Sequence, residues 1–184
     1  MGCNMLQQEM FTNAKHGELL GSGLYSSAFR LSNGLVMKHG RSDGTRNWLE
    51  FCMLEREAGR LMPLMPEVYQ VVAIENDRYM AIMPEYVRVV PTDWCGEEGT
   101  AKSDYAGHSV TDHPDFNEVC MRFRKYMEQF EGFKMNYNYD LMNDCHTGNV
   151  MICHTRGVVI TDPCCWDYYS KMIAVDLELT HTVH

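Results

Sequence analysis

The segment "NDCHTGNVMI", Asn143 to Ile152, crowds an acid, an imidazole, a glycine and an amide in front of a short apolar run. Asp144 and Asn149 stand five residues apart, and Asp162 closes the strand pattern that follows. Magnesium takes oxygen ligands and keeps phosphate oxygens and water, so one amide oxygen (Asn149) and one carboxylate (Asp162) suit a metal–phosphate complex. Asp144 is then left to orient a hydroxyl and accept its proton. Gly148 allows the loop a tight bend. His146 is read as a loop scaffold, with substrate contact as the alternative. A zinc site from His146, Cys145 and Cys153 is disfavoured because no ligand pair has the usual spacing.

Two more pieces lie upstream. Lys38 ends the apolar strand "LVMK", and a lysine finishing a buried strand needs a counter-charge. Phosphates would serve, and so would a carboxylate on the following helix, which offers Glu50, Glu55 and Glu57. Before it, "GSGLYSS" places Gly21, Ser22, Gly23 and Ser26 between two strands. A phosphate loop of the dinucleotide kind needs a helix after the glycines. Here the alternatives are an ordinary hairpin turn or a flap whose backbone amides cover a triphosphate. The order of glycine flap, strand lysine, helix glutamate, D-x-x-x-x-N and strand-end aspartate is the order phosphoryl-transfer kinases use.

These groups need elements to hold them. Residues 17 to 40 read as three strands, with a hairpin turn at Asn33-Gly34 that accepts positive φ. Residues 46 to 62 recur at helical spacing through Trp48, Phe51, Cys52, Leu54, Ala58 and Leu61, and end at Pro63 and Pro66. Residues 67 to 87 read as two strands about Asn76-Asp77. Residues 88 to 114 are polar and irregular, a loop or lid. Phe116, Val119, Cys120, Phe123, Met127 and Phe130 form an apolar helical stripe. Residues 149 to 163 read as a hairpin turning at His154 to Gly157. The expected fold class is therefore α+β, with five strands and one inserted helix, then a helix, then a two-stranded hairpin.

The chain has 184 residues, 45% hydrophobic and 22% charged, the balance of one globular domain. Its net charge of -9 argues against nucleic-acid binding, which rests on lysine and arginine. No apolar run is long enough to span a bilayer, and the N-terminal segment does not resemble a signal peptide. The eight cysteines include no CxxC pair and read as reduced thiols in a cytosolic setting.

The chain resembles the protein-kinase-like fold. "GSGLYSSAF" is similar to the glycine loop, with Ser26 at the third glycine position, and "VMK" to the lysine strand. "EREAGRL" is similar to the helix carrying the partner glutamate, here Glu57. "MPEYV" looks like the hinge, implying adenine contacts from the backbones of Glu85 and Val87. "NDCHTGN" resembles the catalytic loop, with Asp144 as base and Asn149 on the metal, and "ITDP" the metal motif, with Asp162. More narrowly, "LLGSGLYSSAF", "FCM", "PEVYQV", "DCHTGNVM" and "ITDP" resemble the early protein kinases of short-tailed coliphages of the T-seven group.

The resemblance implies a minimal two-lobed fold over residues 1–184. A five-stranded antiparallel N-lobe sheet with one helix would span 17–87, and a reduced helical C-lobe 115–184. It also implies a Ser/Thr protein kinase using ATP and Mg2+ in the host cytoplasm. Its substrates would be host proteins of transcription, translation and RNA processing, and itself. Phosphate on Ser26 or Ser27 would repel the γ-phosphate and close the site.

The chain departs from the pattern at His146, where protein kinases keep a lysine, and at Pro163-Cys164, where Phe-Gly is usual. Only 22 residues follow Asp162, with no Ala-Pro-Glu motif, so the large substrate-binding helical lobe is not expected. Two alternatives stay open: a catalytically inactive kinase fold that inhibits a host protein by binding, and a small-molecule phosphotransferase.

Overall fold

Alternating apolar side chains build a sheet with two unlike faces. The computed structural model describes residues 17–23, 25–74, 78–88, 104–105, 108–130, 142, 145 and 148–163. Strands β1 (Glu18–Ser22), β2 (Ser26–Arg30) and β3 (Leu35–Gly40) are followed by helix α1 (Asp43–Glu57), then β4 (Gln70–Ile74) and β5 (Arg78–Pro84). The five strands form one antiparallel sheet in the order β1-β2-β3-β5-β4. The β2–β3 turn falls at Asn33-Gly34, where Gly34 takes φ 77° and the Asn33 side chain accepts the Leu35 N–H at 3.1 Å. This is the conformation an Asn-Gly pair favours.

Val36 of β3 and Tyr79, Ala81 and Met83 of β5 face the main core, while Met37, Met80 and Ile82 join a smaller cluster on the other face. Lys38 lies two residues from Val36 and so shares the main face, opposite the small Ala81 in the register.

Helix α1 begins earlier and ends earlier than the periodicity suggests. Ser42 caps it, its side chain accepting the Thr45 N–H, and Asp43 sits in the first turn beside the positive end of the helix. It stops at Glu57 because Gly59, at φ 68°, turns the chain in the left-handed region well before Pro63.

The remaining elements are short. Strand β6 (Val87–Arg88) follows β5 directly, and a small hairpin, β7 (Asp104–Tyr105) and β8 (His108–Ser109), interrupts the stretch read as irregular. Helix α2 (Phe116–Met127) buries the predicted stripe of Phe116, Val119, Cys120, Phe123 and Met127. Phe130 falls beyond its end and is exposed. Strands β9 (Val150–Cys153) and β10 (Gly157–Ile160) form the expected hairpin, with Gly157 at φ 78° in its turn. Strand β6 pairs with β9, giving a second sheet in the order β10-β9-β6.

The main core joins these parts. Trp48 and Phe51 of α1 pack against Phe123 of α2 with ring centroids 5.1 and 5.4 Å apart, and the cluster continues through Leu64 into Val150, Val158 and Ile160. Apolar packing therefore runs from α1 and α2 into the β9–β10 hairpin. Among the described residues no helix is long and apolar enough to cross a membrane.

Candidate functional site

The open end of the β9–β10 hairpin gathers residues far apart in sequence. Val150 pairs with Ile160, so Asn149 and Thr161 come next to each other as the strands end. Thr161 fixes the Asn149 carbonyl twice, with its backbone N–H at 2.7 Å and its hydroxyl at 3.0 Å. Asp162 follows immediately. The loop ending at Asn149 and the strand-end aspartate are thus held together by main-chain geometry.

Lys38 reaches this point from the other sheet. Its ammonium donates to Asp162 Oδ2 at 2.9 Å and to the Thr161 carbonyl at 3.2 Å. A buried ammonium is stable only when paired and hydrogen bonded, and both conditions are met. The second oxygen of Asp162 accepts from the Thr45 hydroxyl at 2.5 Å. The Tyr79 hydroxyl is fully buried beside them, turned toward Thr45 and Ser26 without completing a hydrogen bond among the described residues. Burial, and then the Asp162 charge, pushes it well above its ordinary value.

The partner of Lys38 is the main correction to the sequence reading. Glu57 is exposed in the last turn of α1 and does not meet Lys38. Glu55 is buried and taken by Arg122 of α2 and by Arg60, the latter at 2.7 Å. Glu50 accepts from the Tyr126 hydroxyl at 3.4 Å and lies 3.9 Å from Arg46. The helix lies with its N-terminal turn, not its C-terminal half, toward the aspartate. Trp48 holds it there by donating its indole N–H to the Ile160 carbonyl at 2.8 Å. Thr45 is the functional candidate that the sequence reading missed. Its signal was the Ser42 cap four residues after Lys38, which sets the helix start close to the strand end.

The glycine segment joins β1 and β2, which pair antiparallel. Gly21 and Ser22 end β1, Ser26 begins β2, and the Gly23 N–H bonds the Ser26 carbonyl at 2.8 Å. Ser22 and Ser27 are opposite in register, with their hydroxyl oxygens 3.0 Å apart. Ala28 of β2 is the register partner of Lys38, so the strand that follows the glycine segment stands beside the lysine.

Glu85 follows β5, and Arg30 grips its carboxylate with two bonds at 2.6 and 2.7 Å, holding that carboxyl below its usual range. Arg30 also reaches Glu18. Val87 lies in β6 opposite Ile152, which ties the segment read as a hinge to the hairpin carrying Asn149 and Asp162. Asp144 and His146 lie outside the described residues, as do the Asn76-Asp77 turn and Cys164-Cys165.

The pair of Asp162 and Asn149 offers one carboxylate and one amide oxygen, which suits a metal held mainly by phosphate oxygens and needing one or two protein ligands. It does not suit a metal caged by protein, and among the described residues no cluster of three or more histidine, cysteine or acidic side chains could hold one. No protein-family model matches the chain, and no curated protein matches it.

Proposed function

We propose that the chain is a protein-kinase-like enzyme of phage origin that transfers the γ-phosphate of ATP to serine and threonine hydroxyls. Its substrates are host proteins of transcription, translation or RNA processing, and the chain itself. The observation that carries this reading is the meeting of Lys38 with Asp162, at 2.9 Å, beside the anchored Asn149. A five-stranded antiparallel sheet with a flap, followed by a helix and a hairpin, is the scaffold such a site needs.

In this reading Lys38 neutralises phosphate charge. Asp162 and the side chain of Asn149 would hold magnesium, which supplies charge neutralisation between the phosphates. Asp144 receives the proton of the substrate hydroxyl as that oxygen bonds to phosphorus and the bond to ADP breaks. The backbones of Glu85 and Val87 would read an adenine edge, and Gly21, Ser22, Gly23 and Ser26 would cover the phosphates. Catalysis is then positioning and charge stabilisation, with no covalent intermediate.

The test is incubation with radiolabelled ATP, magnesium and basic acceptor proteins. Wild type is expected to label itself and an acceptor, and Asp144→Asn and Asp162→Asn to lose at least about a hundredfold. Undiminished labelling by both variants refutes the assignment.

A second reading, an inactive kinase fold that acts by binding, is favoured by one observation. The glutamates of α1 are engaged with arginines and a tyrosine, or exposed, rather than placed at Lys38. A rise in melting temperature with magnesium-ATP, together with label transfer, would exclude it.

A further inference from the structure

We propose that Thr45, in the first turn of α1, is the positioning residue that fixes the Asp162 carboxylate for magnesium–phosphate binding. The helix would then meet the site through this hydroxyl at Asp162, rather than through a glutamate at Lys38. The inference rests on the kinase reading above and concerns how this chain completes that site.

The hydrogen-bond chain has a single polarity. A hydroxyl carries one proton and a carboxylate carries none to give. At 2.5 Å from Asp162 Oδ1, the Thr45 hydroxyl must donate to it. The Ser42 hydroxyl, 3.1 Å from the Thr45 oxygen, must then donate to Thr45, while its own oxygen accepts the Thr45 N–H at 3.2 Å. The helix cap and the carboxylate anchor are thus one relay, from main chain to Ser42 to Thr45 to Asp162.

The relay also fixes orientation. Lys38 holds Oδ2 from β3, and Thr45 holds Oδ1 from α1, so the two oxygens are gripped by different elements. Rotation of the carboxylate would break one bond or the other. Thr45 is 1% exposed, so water does not compete for its proton. Its β-branch restricts χ1 and keeps the hydroxyl aimed. Valine has nearly the same shape without the donor, and serine has the donor without the branch.

The experiment compares wild type with Thr45→Val, Thr45→Ala, Thr45→Ser and Glu57→Gln. Three readouts are followed: the magnesium concentration giving half-maximal label transfer, the rise in melting temperature with magnesium-ATP, and urea unfolding without ligand. Thr45→Val and Thr45→Ala should raise the half-saturating magnesium about tenfold, the scale of one hydrogen bond to a charged group. They should also shrink the magnesium-ATP thermal shift. Thr45→Ser should stay within about threefold of wild type, a rescue that mere packing would not give.

In ligand-free urea unfolding, Thr45→Val and Asp162→Asn should lose less stability together than the two separate losses added. Additive losses, or a Thr45→Val chain with wild-type magnesium dependence, overturn the inference and leave the kinase reading standing. Activity lost in Glu57→Gln but kept in Thr45→Val overturns it in favour of the glutamate. A wild-type chain showing neither label transfer nor a magnesium-ATP thermal shift overturns the kinase reading, and the inference falls with it.

Discussion

Removing either member of the Lys38–Asp162 pair should destabilise the fold, and removing both should cost less than the two losses added. The side chains are 10% and 13% exposed, with Nζ and Oδ2 2.9 Å apart. At an effective dielectric near 20, the direct attraction is about 6 kcal/mol. Desolvation of two ions offsets several kcal/mol of that. A net coupling of about 2 kcal/mol remains, within the range measured for close charge pairs. Lys38→Met leaves Asp162 with the Thr45 hydroxyl, and Asp162→Asn leaves Lys38 with the Thr161 carbonyl. Each single variant should therefore lose about 2–3 kcal/mol, rather than the larger value for a wholly unpaired buried charge. For a chain of this size that is a fall of roughly 4–12 °C in melting temperature. Urea unfolding at pH 7 of wild type, both single variants and the double variant measures the cycle, with a constant m-value as the check on two-state behaviour. Because the pair is buried, the coupling should persist at high salt. Losses that add within about 0.5 kcal/mol would refute the buried pair, and with it the geometry on which the functional reading stands.

Gly40→Ala should destabilise by about 1–3 kcal/mol, because a Cβ there would lie 2.7 Å from the Tyr79 hydroxyl and 2.9 Å from the Tyr25 carbonyl. Tyr79→Phe alone should be close to neutral in urea unfolding, since the hydroxyl it removes is buried without a completed bond. In the Gly40→Ala background it should restore only part of the loss, because the Tyr25 carbonyl stays. Glu55→Ala should cost about 2–4 kcal/mol by releasing α1 from Arg122 and Arg60, and Glu55→Gln less, both read from thermal melts. Burial, and then the charges of Arg78 and Arg41, lowers the His39 value below its ordinary 6.5. Below about pH 6.5 the unfolded chain therefore takes up this proton before the folded one does. Stability should fall as the pH drops from about 6.5 through the lowered folded value, and His39→Gln should flatten that limb of a urea-midpoint titration.

Much of the scaffold is written locally. Asn33-Gly34 makes its turn because the pair accepts positive φ, and "LVMK" alternates so that Val36 and Lys38 share one face. The stripe of α2 is apolar at helical spacing and is buried at the predicted positions from Phe116 to Met127. The hairpin from 149 to 163 pairs as the pattern requires, and this puts Asn149 and Asp162 side by side. The choice among helix partners was not legible. Glu57 follows from the resemblance of "EREAGRL" to a helix that carries a partner glutamate, but which end of α1 faces Asp162 depends on Trp48 meeting Ile160 across more than a hundred residues. Starting the helix at Arg46 also hides Thr45, because it overlooks the Ser42-Asp43 start. The two-residue β6 carries too little pattern to be seen in advance, yet it joins the end of β5 to the hairpin.

The aromatic seam from Trp48 through Phe123 to Tyr126 bears on how the chain assembles. A polypeptide severed between Arg88 and Asp104 would give one piece lacking the cover for Trp48 and Phe51, and another lacking the floor for Phe123 and Ile160. Neither piece should hold a native state by itself, and mixing them should regenerate one. The whole chain should melt in a single cooperative step, with no temperature at which the glycine flap's sheet survives the loss of the hairpin.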